Sequence, residues 1–270
     1  MTQTVMVRGQ RYAFEDAGDG PLVVFGHGLL FDRGMFGAQA AALQRRYRCV
    51  RLDWPGHGLS GFREGGWSAG DLVDDTVEFV QALGAREAVF VGLSQGAAIF
   101  TRLALAHPDM VRALVVMDAT PLAAAEGARA WLMQSSAALA EGDAARCAAV
   151  FDGALDMMFS PATQRHRPEV VRAARATFAA HPRDGLALAM RVPLSYESIV
   201  ARLRELAMPT LIAWGEDDAG APLALADHYR SALPQARFAA FAGAGHSLPL
   251  ERPQELTLAL TEFLTSLPPR

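Results

Sequence analysis

Short apolar runs closed by Gly or Asp alternate with helix-patterned stretches through most of this 270-residue chain, and nothing else constrains its fold as tightly. The run at 22–25, stopped by Gly26, and EAVFVG, ending at Gly92, read as strands buried on both faces. YRCVRLD, ending at Asp53, VRALVVMD, ending at Asp118, PTLIAWG at 209–215 and ARFAAF at 236–241 read as further strands. Residues 5–8 and 11–14 read as a short antiparallel edge. Helices are expected at 35–45, 94–106 and 222–232, and from Pro253 onward, where Leu256, Leu260, Phe263, Leu264 and Leu267 share one face. Another opens at Ser68, whose pairing with Asp71 is a capping signature, and closes at Gly84. Strands alternating with helices imply an α/β fold: a mostly parallel, doubly wound, eight-stranded sheet flanked by helices.

One gap breaks the rhythm. Between Asp118 and Pro209 no strand pattern appears, and a stretch that long exceeds what a crossover requires. Rich in Ala, Arg and Met, it reads as several helices. The expected organisation is a core of residues 1–120 and 206–270, with a helical cap, 121–205, inserted after strand 6 over the carboxyl edge of the sheet.

Composition removes several classes of function. A chain 51% hydrophobic and 20% charged is not disordered over most of its length. A net charge of −4 without runs of one sign offers no basic surface for phosphate, so nucleic acid is not expected as a partner. All 25 basic residues are Arg, which excludes a Schiff-base lysine, pyridoxal phosphate attachment and the lysine of a P-loop. Cys49 and Cys147 match no metal or redox spacing and read as free thiols of a reducing compartment. No apolar run reaches the roughly 18 residues of a membrane span. MTQTVMVRGQRYAF lacks the apolar centre of a signal peptide. A soluble cytoplasmic protein is expected, with no membrane partner, no metal and no cofactor.

Gly92-Leu93-Ser94-Gln95-Gly96 fits G-x-S-x-G and falls where a buried strand meets a helix, the setting that gives the pattern meaning. A strand turning sharply into a helix strains its central residue, and glycine two positions to either side avoids collision. Ser94 is thereby lifted clear of the sheet at a helix N-terminus, where developing negative charge is favoured. A serine hydroxyl also needs a base. Of seven histidines, His246 lies in GAGHS after the last strand, on the same rim as Ser94. The base needs an orienting carboxylate, and Glu216, Asp217, Asp218 and Asp118 all stand on that rim; spacing leaves the choice open. Acyl transfer further needs two N–H donors for an oxyanion: the amide of Gln95 and, in the loop after PLVVFGHG, that of Leu29. His27, Asp53 and His57 read as structural. Arg33 reads as an exposed loop residue, although an Arg there would suit a substrate carboxylate.

HGLL at 27–30, DWPGHGLS at 53–60, GLSQG at 92–96, WGEDD at 214–218 and GAGHS at 243–247, in this order, resemble the α/β-hydrolase family across 1–120 and 206–270. The family pattern places the acid three residues after the Gly of its loop, which implies Asp218, with Asp217 second. The stretch 121–205 corresponds to the family's variable helical cap. A Ser nucleophile, where haloalkane dehalogenases and epoxide hydrolases carry Asp, implies the serine esterase and lactonase branch. The resemblance thus implies a small-molecule ester or lactone as substrate. C–C bond hydrolysis and cofactor-free perhydrolysis are alternatives on the same residues, and a non-catalytic binder of a small apolar ligand is another. Leu30 and Phe31 from the loop, with Trp131, Met158 and Phe159 from the cap, are candidates to line an apolar cleft. Activity is expected to fall on acidification as His246 gains a proton, with a midpoint of roughly 6–7.

Overall fold

The computed structural model describes residues 1–268. Among them, β1 (Thr2–Val7), β2 (Gln10–Ala17), β3 (Leu22–Gly26), β4 (Arg48–Leu52), β5 (Ala88–Leu93), β6 (Val111–Met117), β7 (Thr210–Gly215) and β8 (Arg237–Phe241) form one sheet. Its spatial order is β1-β2-β4-β3-β5-β6-β7-β8. β2 pairs antiparallel with β1 and with β4, and the remaining pairings are parallel. Every residue of β3, β5 and β7 is buried, the consequence of continuous apolar runs covered by helices on both faces. β8, at the edge, exposes most of its residues.

Helices α1 (Gly37–Leu43), α2 (Ala69–Ala82) and α3 (Gln95–Ala106) lie between the first parallel strands. α4 (Glu126–Glu141), α5 (Ala144–Met158), α6 (Pro161–His166), α7 (Pro168–Ala180) and α8 (Arg183–Ala189) stand between β6 and β7, where the sequence pattern shows helices and no strand. α9 (Ala226–Ala232), α10 (Leu248–Glu251) and α11 (Pro253–Thr265) complete the chain. At α2 the expected capping box forms: Ser68 Oγ accepts from the Asp71 amide and Asp71 Oδ2 accepts from the Ser68 amide. The helix expected at 35–45 opens instead as a 3-10 turn, Arg33–Phe36, because Asp32 caps that turn by accepting from the Gly34 amide. Among the described residues no helix is long and apolar enough to cross a membrane.

Parallel strands send all their carboxyl ends to one side, so the loops after β3 through β8 share a rim. Close packing of α3 fixes the middle of that rim. A Cβ added to Gly96 would sit 2.0 Å from the Gly26 carbonyl oxygen, and one on Gly92 would sit 2.4 Å from the Ala97 nitrogen. The first turn of α3 therefore rests directly on the end of β3, with no side chain between. Gly96→Ala is expected to destabilise the fold by about 1–3 kcal/mol. In α5, nothing lies within 4 Å of a methyl added at Gly153. Gly153→Ala is accordingly expected to stabilise by about 0.5–1 kcal/mol. Denaturant unfolding compares the two variants, and shifts of the same sign would contradict the packing argument.

Candidate active site

Ser94 caps α3 with φ 52° and ψ −113°, a left-handed backbone that only four non-glycine residues adopt among those described. Its amide donates to the Met117 carbonyl at 2.9 Å, which ties the turn to β6. The side chain is half-buried. Neither the Gln95 amide nor the Leu29 amide donates to a protein acceptor among the described residues. The Gln95 side chain is buried, and its Oε1 and Nε2 also lack hydrogen-bond partners in the protein.

His246 follows β8 and Asp218 follows β7. His246 Nδ1 donates to Asp218 Oδ2 at 2.8 Å, which leaves Nε2 as the ring's acceptor. Asp218 Oδ1 accepts from the amides of Gly220 and Ala221, both at 2.8 Å. Both side chains are buried. Burial disfavours the charged ring, but the Asp218 carboxylate, with a smaller part from Glu251, outweighs it and raises the His246 pKa above its ordinary 6.5. The other carboxylates of the rim are placed differently. Glu216 and Asp217 are exposed. Asp118 is fully buried, and its Oδ1 accepts from the Gly215 amide at 2.8 Å. Burial, and then the Asp218 charge, push the Asp118 pKa well up. Asp118 therefore stands beside Asp218 rather than competing with it for the ring.

Three further imidazoles hold the loop after β3. Leu30 is left-handed, with φ 72°. Its amide donates to His57 Nε2 at 3.2 Å, and its carbonyl accepts from His181 Nε2 at 2.7 Å. His57 Nδ1 donates to the Pro55 carbonyl, and His181 Nδ1 accepts from the Gly58 amide. His27 Nδ1 donates to the Gly28 carbonyl while its Nε2 accepts from the Trp54 amide. Each ring uses one bare nitrogen as an acceptor, so each is neutral. Burial pushes all three pKa values down, that of His27 to about 4. The structural reading of His27 and His57 agrees with these contacts. His181, between α7 and α8, carries no local sequence signal, since its partners lie 123 and 151 residues away in the chain.

Asp53 gathers the Arg33 amide and guanidinium and the Leu59 amide. Arg33 is consequently not an exposed loop residue: its side chain is 15% exposed and pairs with both Asp53 and Glu15. Among the apolar candidates, the Phe31 ring meets Phe178 at 5.0 Å and Phe159 at 6.4 Å. The Met158 carbonyl accepts from the Ser247 amide at 2.9 Å, next to His246. Phe31, Met158 and Phe159 thus lie near the rim, and Leu30 is wholly buried in its loop. Trp131 on α4 packs half-buried against the core, and no ring contact among the described residues joins it to the other four.

The neutral histidines make stability depend on pH. In an unfolded chain they titrate near 6.5, and in the fold lower, so between those values the unfolded chain binds more protons. Stability is expected to fall as pH drops from about 6.5 towards 4. His246 and Asp118, whose pKa values are raised, contribute in the opposite sense, so the neutral histidines show most clearly in the comparison with His181→Gln. Melting temperatures across pH 4–8 check this, with a smaller drop expected in His181→Gln, which has no proton to gain. A flat profile in the parent would contradict it.

The family model for the alpha/beta hydrolase fold matches residues 21–253. Over 244 residues the chain is 28% identical to the pimeloyl-[acyl-carrier protein] methyl ester esterase of Nitrosomonas europaea, covering 89% of this chain and 94% of that protein. A shorter stretch of 106 residues is 36% identical to the 2-(acetamidomethylene)succinate hydrolase of Mesorhizobium japonicum, covering 39% of this chain and 38% of that one. Among solved structures, a thermophilic esterase from Thermogutta terrifontis superposes with a TM-score of 0.91 at 25% identity, over 99% of both chains. The chain belongs to the alpha/beta hydrolase family.

Proposed function

We propose that the protein hydrolyses small, largely apolar carboxylic esters or lactones through Ser94, His246 and Asp218. The observation that carries this reading is the 2.8 Å bond from His246 Nδ1 to Asp218 Oδ2, on the rim where Ser94 stands in its strained turn. That bond fixes the proton on Nδ1 and leaves Nε2 to take the Ser94 proton. Ser94 Oγ then bonds to the substrate carbonyl carbon, and the oxyanion is held by the amides of Leu29 and Gln95. The carbonyl re-forms as the alcohol leaves with the proton from His246 Nε2. Water, deprotonated by the same nitrogen, attacks the acyl group and releases the acid, and Ser94 recovers its proton. In a lactone the leaving alcohol stays tethered to the acyl group.

The helices between β6 and β7, residues 121–205, serve in this reading as a cap over the site. Phe31, Met158 and Phe159 offer an apolar wall beside His246, which suits an acyl or aromatic group. The unpartnered Gln95 amide would accept or donate to a polar atom of the substrate. Two free thiols, Cys49 and Cys147, agree with a reducing cytoplasmic location.

The first test is hydrolysis of p-nitrophenyl esters of increasing acyl length. Ser94→Ala is expected to lose on the order of 10⁶-fold in kcat. Asp218→Ala should lose about 10⁴-fold, and Asp217→Ala little. A folded parent that turned over no ester would redirect the search to C–C bonds or a narrowly selective lactonase. Activity retained in Ser94→Ala would remove the nucleophile assignment.

The pH dependence follows from the sign of the His246 shift. The working base is the neutral ring, so a raised pKa means that activity is lost at a higher pH than for an ordinary imidazole. The acid limb of kcat/KM is expected above 6.5, the upper part of the range the sequence suggests or beyond it. A limb below that value would contradict the Asp218 partnership.

A further inference from the structure

Glu251, at the end of α10, is 1% exposed and faces four hydrogen-bond donors. Its Oε1 accepts from the amides of Gly245, at 3.0 Å, and Ser247, at 3.2 Å, the two residues that flank His246. Its Oε2 accepts from the Ser160 amide at 3.0 Å and from the Thr163 hydroxyl at 2.7 Å. Ser160 caps α6, which belongs to the helical stretch between β6 and β7. Among the described residues no cation stands within 4.0 Å of the Glu251 carboxylate, so neutral donors alone hold it. A carboxylate is the one side chain of this length that accepts on both oxygens and donates on neither. The surrounding chain is shaped to the contact. A Cβ on Gly245 would meet the Ser160 nitrogen at 2.5 Å, and Arg167 Nη1 donates to the carbonyls of Leu250 and Glu251.

We propose that Glu251 is a positioning residue, which holds the base His246 through the amides on both sides of it and fastens that loop to the start of α6. The inference rests on the reading of His246 as the base. Glu251 does not touch the ring and takes no proton from it. It fixes where the ring stands relative to Ser94, and its charge favours the imidazolium that forms when the serine proton is transferred. Two carboxyl groups act on the ring from two elements, Asp218 after β7 and Glu251 on α10, while Asp118 after β6 stands beside Asp218. Of these, Asp218 bonds the ring directly, and Glu251 adds to the upward shift of its pKa.

Charge and reach can be separated by two substitutions. Glu251→Gln keeps the length but turns N–H donors toward groups that themselves donate. Glu251→Asp keeps the charge but is too short to meet both sides. Both are expected to lose on the order of 10²-fold in kcat, with KM changed only a few-fold, because a displaced base slows the transfer without removing substrate contacts. The acid limb of the pH–rate profile is expected to move to lower pH in Glu251→Gln and to move less in Glu251→Asp. Folded Glu251→Gln with unchanged kcat and an unchanged limb would overturn the proposal. If Glu251→Gln fails to fold, Thr163→Val decides, since it removes a single donor at the α6 end. A loss of about tenfold in kcat at unaltered KM is then expected, and unaltered kcat overturns the proposal. His246→Ala is run beside them. Activity surviving in that variant overturns the base assignment together with this proposal, whereas activity lost there but kept in folded Glu251→Gln overturns this proposal alone.

Discussion

The backbone of α3 lies so close to β3 that no side chain fits between Gly96 and the Gly26 carbonyl. Most of the rim follows from that contact. To reach it, the chain must leave β5 and enter a helix within one residue, and Ser94 absorbs the turn with a left-handed backbone. The strain is held in place from three sides: by β6 through the Ser94 amide, by Gly92 beneath the turn, and by the buried aromatic rings of Phe100 and Trp54 behind Gly26. A serine raised in this way cannot relax into the sheet. Its neighbours at the rim are then determined by which strands flank β5, with β3 on one side and β6, β7 and β8 in turn on the other.

Four buried histidines stand around that rim, and their surroundings separate them into two kinds. His27, His57 and His181 meet backbone amides and carbonyls, so the protein uses each as a neutral bridge with one donor and one acceptor. A proton added to any of them would cost an accepted hydrogen bond in addition to the desolvation of a charge. His246 meets a carboxylate instead. Its second proton is favoured by Asp218, and its free nitrogen is not committed to the backbone. The same imidazole chemistry thus supplies rigid struts in one loop and, in the proposed mechanism, a proton acceptor in another, and the partner of the first nitrogen decides which.

The strands were legible because burial on both faces leaves apolar runs that no other element of that length needs. The turn at Ser94 was legible because two glycines at fixed spacing answer a steric requirement that acts within five residues. The choice of Asp218 over Asp217 was not readable from spacing: adjacent residues of a loop point in different directions, and only the turn that brings Gly220 and Ala221 onto Oδ1 selects one. Arg33 was misread for a related reason. Its partners, Asp53 and Glu15, belong to neighbouring strands or their ends, and strand order is not written in the local pattern. His181 and Glu251 are further cases. Each joins the helices between β6 and β7 to a loop of the rim, across 151 and 91 residues respectively, and a sequence window holds no record of such a contact.

Those two contacts give the intervening helices a part in the geometry of the rim. His181 fastens the loop that carries Leu29, and Glu251 fastens the loop that carries His246. Both anchors are polar groups with every bond directed, whereas apolar packing alone would tolerate sliding by a fraction of an ångström. The Glu251 site also carries an electrostatic cost, since a buried carboxylate held only by neutral donors loses its hydration without gaining a cation. Four bonds to amides and a hydroxyl offset that cost, and the one to Ser160 is available because Gly245 lets the Ser160 backbone come close. An apolar residue at 251 would strand the same amides unsatisfied in the interior, and a cation there would oppose the charge that the proposed mechanism places on His246. A carboxylate is therefore the residue type that meets the bonding demand of the loop and the electrostatic demand of the ring together.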